Sequence, residues 1–151
     1  MVIENRAAPR TPIDRFDMMA QPVEILLIED NRCDEELTRF ALRDHPLSNA
    51  IRVARDGAEA LELLFDPNRA AAKACNPDII LLCLRLRKVD GPAVLQRIRS
   101  ESRTRDIPVF VLISSDYERD IAERQGLEPN GYIVKPLDID SFASAMRSAG
   151  L

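Results

Sequence analysis

The chain has 151 residues, 46% hydrophobic and 30% charged, a balance that suits one ordinary globular domain and leaves little room for two. Its 21 Lys and Arg against 25 Asp and Glu leave a formal charge of −4, which argues against a nucleic-acid-binding face. The longest apolar run, Ile79 to Leu84, is six residues, too short for a membrane span, and the first twenty residues lack the apolar stretch of a secretory signal, so a cytoplasmic location with no membrane partner is expected. Cys33, Cys75 and Cys83 are widely spaced and form no C-x-x-C pair, which points to neither a disulfide framework nor a zinc site. His45 is the only histidine; it sits in the polar turn Asp44-His45-Pro46 and reads as a surface residue, not a phosphoryl carrier or a catalytic base.

Residues 1–22 carry Pro9, Pro12 and Pro22 and no sustained period, so a mobile tail is expected, with at most one helical turn around Ile13 to Met19, ahead of a domain over 23–151. The apolar run Val23 to Ile28 then ends in Glu29-Asp30-Asn31, a buried strand followed by an acidic turn. Leu37, Phe40, Ala41 and Leu42 recur at helical spacing and predict a helix from about Cys33 to Asp44. Ala50 to Ala54 predicts a second strand, and Asp56-Gly57 leads into a helix carrying Ala60, Leu61, Leu63 and Leu64. Between Pro67 and Pro77 the stretch Arg69 to Cys75 offers a further short coil of helix.

Ile79 to Leu84 is the most apolar strand. Asp90-Gly91-Pro92 opens a helix with Val94, Leu95 and Ile98 on one face, the proline being acceptable in a first turn. Val109 to Ile113 predicts the fourth strand, with Ser115 or Asp116 capping the helix after it. Gly131 to Val134 predicts the fifth, and Asp138 caps a last helix through about Ser148 that packs Phe142, Ala145 and Met146 on the sheet.

Five strand–helix alternations with short connections predict an α/β domain with a parallel sheet and helices on both faces, because parallel strands need helical crossovers. Ligands collect at the carboxyl ends of such strands, so the residues to inspect are Glu29, Asp30, Cys83, Arg85, Ile113, Ser114 and Lys135. Two adjacent carboxylates facing a lysine form a pattern suited to Mg²⁺ and a phosphoryl group.

Several segments together resemble the receiver domain of two-component response regulators, over about Val23 to Ser148. They are Ile25-Leu26-Leu27-Ile28-Glu29-Asp30-Asn31, Asp56-Gly57-Ala58-Glu59-Ala60-Leu61, Pro77-Asp78-Ile79-Ile80-Leu81-Leu82, Asp90-Gly91, Ile107-Pro108-Val109 and Tyr132-Ile133-Val134-Lys135-Pro136-Leu137. The longer stretch before the third strand and Ser114-Ser115-Asp116 look most like the stand-alone receivers that serve bacterial phytochromes. The resemblance implies a flavodoxin-like five-stranded sheet in the order 2-1-3-4-5, a signalling role that is not enzymatic, a sensor histidine kinase such as a bacteriophytochrome as partner, and a homodimer. It also implies a switch aromatic at Tyr132 and a cis proline at Pro136.

The site departs from the family pattern. Where the family's phosphoacceptor aspartate ends the third strand, this chain has Cys83, a soft ligand without a second oxygen for Mg²⁺. The hydroxyl position at the end of the fourth strand falls on Ile113, or on Ser114 if the register shifts by one, and Arg85 and Arg87 stand where the family commonly has a small polar residue and a proline. The expectation is a phosphorylation-independent pseudo-receiver acting by protein–protein contact, with no cofactor. Arg85 is expected to lie over Glu29 and Asp30 in place of the metal, and Lys135 to pair with one of those acids. Tyr132 is expected to be a packed or interface side chain more than a working switch. The alternative is a regulator still modified in the pocket, by phosphoryl transfer to Cys83 with Mg²⁺ on Glu29 and Asp30, or by oxidation of a Cys83 thiolate activated by nearby cations.

Overall fold

The computed structural model describes residues 23–43, 50–67 and 75–150. The expectations for the tail, for His45 and for a coil at Arg69 to Cys75 fall largely or wholly outside them. Five strands, β1 (Glu24–Ile28), β2 (Ala50–Ala54), β3 (Ile79–Cys83), β4 (Val109–Ile113) and β5 (Gly131–Val134), pair in parallel in the order 2-1-3-4-5. They alternate with α1 (Arg32–Leu42), α2 (Gly57–Phe65), α3 (Gly91–Ser100), α4 (Asp116–Arg124) and α5 (Ile139–Ser148).

The central strands read as continuous apolar runs because both faces of the sheet are covered, and β1, β3 and β4 are buried almost throughout. Period-two alternation then sorts their side chains. Ile25, Leu27, Ile79, Leu81, Phe110 and Leu112 pack with Leu42 of α1 and Phe142 and Met146 of α5. Leu26, Ile28, Ile80 and Leu82 pack on the other face with Ala60 and Leu64 of α2 and Val94 and Ile98 of α3. A smaller cluster of Leu84, Val111, Ile113 and Ala122 lies under α4.

Four helices start on a side chain that accepts the N–H three residues on: Asn31, Asp56, Ser115 and Asp138. Of the four apolar residues that suggested α1, only Ala41 and Leu42 pack inward; Leu37 and Phe40 are 52% and 64% exposed. Two glycines bring the loop after β3 close to the sheet. Gly57 N–H donates to the Arg87 carbonyl at 3.1 Å, and a Cβ there would run into the Val89 backbone. A Cβ on Gly91 would stand 2.5 Å from the Cys83 carbonyl oxygen.

Because that contact is with backbone, Gly91→Ala is expected to destabilise the fold by about 1–3 kcal/mol, read as a lower urea midpoint with an unchanged slope.

Candidate functional site

The alternation that builds the core also decides what the strand ends present. Glu29 continues the phase of Ile25 and Leu27, whereas Asp30 continues that of Leu26 and Ile28, so the two neighbouring acids are sent to opposite faces. Cys83 shares the phase of Ile79 and Leu81 and therefore comes up on Glu29's side. Lys135 directly follows β5, and its backbone N–H is held by the Ile113 carbonyl at 2.8 Å. The peptide bond between Lys135 and Pro136 is cis, as the resemblance implies.

The Lys135 ammonium stands at the centre of the resulting cluster. It lies 3.0 Å from Glu29 Oε1 and 2.9 Å from Asp34 Oδ2, and it donates to Cys83 Sγ at 3.5 Å. Glu29 is 1% exposed; its Oε2 accepts the Asn31 N–H at 3.3 Å, while Oε1 has the ammonium as charge partner without a well-aligned hydrogen bond. The thiol of Cys83, itself buried, also donates to the Arg85 carbonyl at 3.8 Å. Asp34 is the residue that sequence reasoning missed. An acid in the first turn of a helix reads as a complement to the helix dipole. Here the Asn31 cap, accepting the Asp34 N–H at 2.9 Å, sets the turn from which that carboxylate reaches Lys135.

Other expectations are corrected. Arg85 does not lie over the acids; it is exposed on the loop after β3 and makes no ion pair among the described residues. The arginine that reaches an acid is Arg87, 3.8 Å from Asp30 Oδ2, because the bond from Gly57 fixes its backbone on that side. Lys135 pairs with Glu29 and Asp34, and Asp30 is left to Arg87. Ile113 is fully buried at the end of β4, in register with Val134, and packs with Leu84, Val111 and the half-buried Tyr132. Ser114 lies past the strand, exposed, its N–H donating to Glu118 Oε1 at 3.1 Å. The ring of Tyr132 has the Arg119 guanidinium 5.5 Å from its centroid, and burial pushes its hydroxyl pKa up.

Fold and site together can be set beside known proteins. The family model for the response regulator receiver domain matches residues 25–147. The chain belongs to this family. Among solved structures the receiver is similar to the bacteriophytochrome response regulator AtBRR, with 40% identity, a TM-score of 0.78, and coverage of 86% of this chain and 94% of the other. For the bacteriophytochrome response regulator RtBRR the values are 41%, 0.74, 87% and 80%. Response regulator Rcp1 of Synechocystis sp. is 33% identical over 114 residues, 76% of this chain and 77% of that protein. The Mn²⁺-bound form of Rcp1 superposes on this receiver with a TM-score of 0.67 and 31% identity, covering 83% of this chain and 91% of that one.

The donors in this receiver do not suit a hard divalent cation. Glu29 already faces an ammonium and Asp30 a guanidinium, and the third position is a thiol. Nor is that thiol activated, as the alternative of a Cys83 thiolate ionised by nearby cations would require. Burial, and then the Glu29 charge, push Cys83 from its ordinary 9.0 up to about 11, although Lys135 works in the opposite direction. Burial alone would lower the pKa of Lys135, but Asp34, Cys83 and Glu29 outweigh it and the net shift is upward. The resting pocket therefore holds a neutral thiol and a charged ammonium.

Alkylation of Cys83 by iodoacetamide should accordingly be negligible at neutral pH and rise about tenfold per pH unit toward about 11, followed by peptide mapping. A raised thiol pKa contributes stability that is present below the unfolded value of 9.0 and lost as pH climbs through about 11. Lys135→Met should cost about 3–5 kcal/mol by stranding the buried Glu29 carboxylate, and adding Glu29→Gln should recover part of that loss in a double-mutant cycle of urea midpoints.

Proposed function

We propose that this receiver works in two-component signalling without accepting a phosphoryl group, through protein–protein contact alone. The observation that carries the reading is the closed cluster of Cys83, Lys135, Glu29 and Asp34. Phosphoryl transfer to a receiver needs an oxygen nucleophile, a cation to screen the incoming charge and donors for the transferred oxygens. Cys83 supplies a protonated thiol, the acids already have side-chain cations, and Ile113 brings a hydrocarbon to the place where the family has a hydroxyl.

The partner best matched to this reading is a sensor histidine kinase of the phytochrome type, on which the receiver docks in competition with a working regulator. Support comes from AtBRR and RtBRR, both described as bacteriophytochrome response regulators. The match to response regulator Rcp1 spans 77% of that protein's length, which supports a receiver-type role for this chain. A homodimer through α4, β5 and α5 is supported by Tyr117 and Val134, which are large, apolar and exposed on that side. No cofactor is needed for either contact, and a cytoplasmic location follows from the partner.

Incubation with acetyl phosphate and Mg²⁺, read by intact mass, is expected to leave the natural chain unchanged. The Cys83→Asp, Ile113→Thr double variant is expected to gain one phosphoryl group and so to show that reagent and fold are sound. A phosphoryl adduct on the natural chain overturns the reading.

A further inference from the structure

Among the described helices, α4 has the weakest apolar hold on the sheet. It buries one side chain, Ala122, whereas the others bury three or four each. A single methyl group gives a polar helix little attachment. A second contact comes from the same face of the helix. Arg119, three residues before Ala122, brings its guanidinium to 5.5 Å from the centroid of the Tyr132 ring.

The surroundings of that guanidinium leave the ring as its partner. Arg119 makes no ion pair among the described residues, and its Nε is buried without a hydrogen bond. A cation desolvated in this way needs another source of attraction, and the face of an aromatic ring supplies one. Tyr132 stands opposite Val111 in the register of β4 and β5 and packs with Leu84, Val111, Ile113 and Ala122. Ile113 offers it hydrocarbon and no hydrogen bond. The ring thus bridges the apolar cluster at the end of β4 and the cation on α4. Tyr117, two residues before Arg119, is turned about 160° away from it around the helix and is 66% exposed. Val134, two residues after Tyr132, shares its face of the sheet and is 48% exposed. The contact beneath therefore sets the spacing of this exposed pair.

We propose that Arg119 is a positioning residue: it holds the Tyr132 ring in place and, through it, docks α4 on β5, so that the face bearing Tyr117 and Val134 is formed without any phosphoryl signal. This rests on the reading of a phosphorylation-independent receiver and names the contact that keeps its α4–β5 side assembled.

Tyr117→Phe leaves Tyr132 as the sole tyrosine of the full chain. Fluorotyrosine incorporated there gives one fluorine resonance, whose pH titration reports the phenol. Burial, and then Glu123, raise the Tyr132 pKa, while Arg119 works against them, so titration is expected above that of free fluorotyrosine. In the added Arg119→Gln variant a released ring is expected to titrate like the free amino acid, a downward shift. The amides of Ile121 and Ala122 are then expected to exchange with deuterium about tenfold faster. A ring that stays in place without the cation shifts upward instead, because an attraction for the phenolate has been lost, and that result overturns the proposal. Unchanged exchange in α4 overturns it as well. Arg119→Lys keeps a cation over the ring and is expected to restore both readings; behaviour like that of the glutamine variant counts against the proposal. Continued protection of the buried Cys75 and Cys83 from N-ethylmaleimide shows that the variants stay folded. Every reading is taken without a phosphoryl donor, so failure here is separate from failure of the phosphorylation-independent reading, which shows as a phosphoryl adduct.

Discussion

A single ammonium organises the carboxyl end of this sheet. Glu29 ends up buried because it follows an apolar strand in the inward phase beneath α1. A carboxylate taken out of water there requires a cation at contact distance. Lys135 provides it from the end of β5, and the same side chain ties Asp34 of α1 and Cys83 of β3 into one cluster. Three elements distant in sequence thus share one charge, and the protonation state of the thiol follows from that sharing. A second negative group beside Glu29 would raise the electrostatic cost, so Cys83 stays neutral and hydrogen-bonded on both sides.

The neighbouring acid follows a different logic. Asp30 faces the other way and takes Arg87, a pairing that is mostly solvent-exposed and therefore weak. What reads in sequence as one acidic pair is in space two separate sites, one buried and firmly neutralised, one open and loosely so. Together with the hydrocarbon of Ile113, this makes a pocket whose needs are met from within. Among the described residues, exposed large apolar side chains lie on α1 (Leu37, Phe40) and on the α4–β5 side (Tyr117, Val134).

Much of this was legible in the residues. Helix starts at Asp56, Ser115 and Asp138 and the position of Cys83 at the end of β3 follow from local patterns, whereas the Asn31 cap, which begins α1 at Arg32 and not at Cys33, came only with the structure. The failures share one cause. Arg85 and Arg87 are two residues apart on a loop, and which of them reaches an acid depends on how Gly57 of α2 holds that loop. Asp34 and Lys135 are 101 residues apart, and nothing local to either says that they meet. The apolar spacing of α1 announced a helix correctly, yet it did not show that Leu37 and Phe40 would face outward, because the same residues satisfy either orientation until the sheet is placed.

The sequence by itself determined the class of fold, the family and the chemical identity of the pocket, since periodicity and residue type are local properties and a thiol cannot become a carboxylate. Only the tertiary structure decided who neutralises whom. Coulomb interactions fall off over a few ångströms in a screened medium, so the partners of Glu29, Asp30 and Cys83 are set by which side chains the crossovers bring within that range.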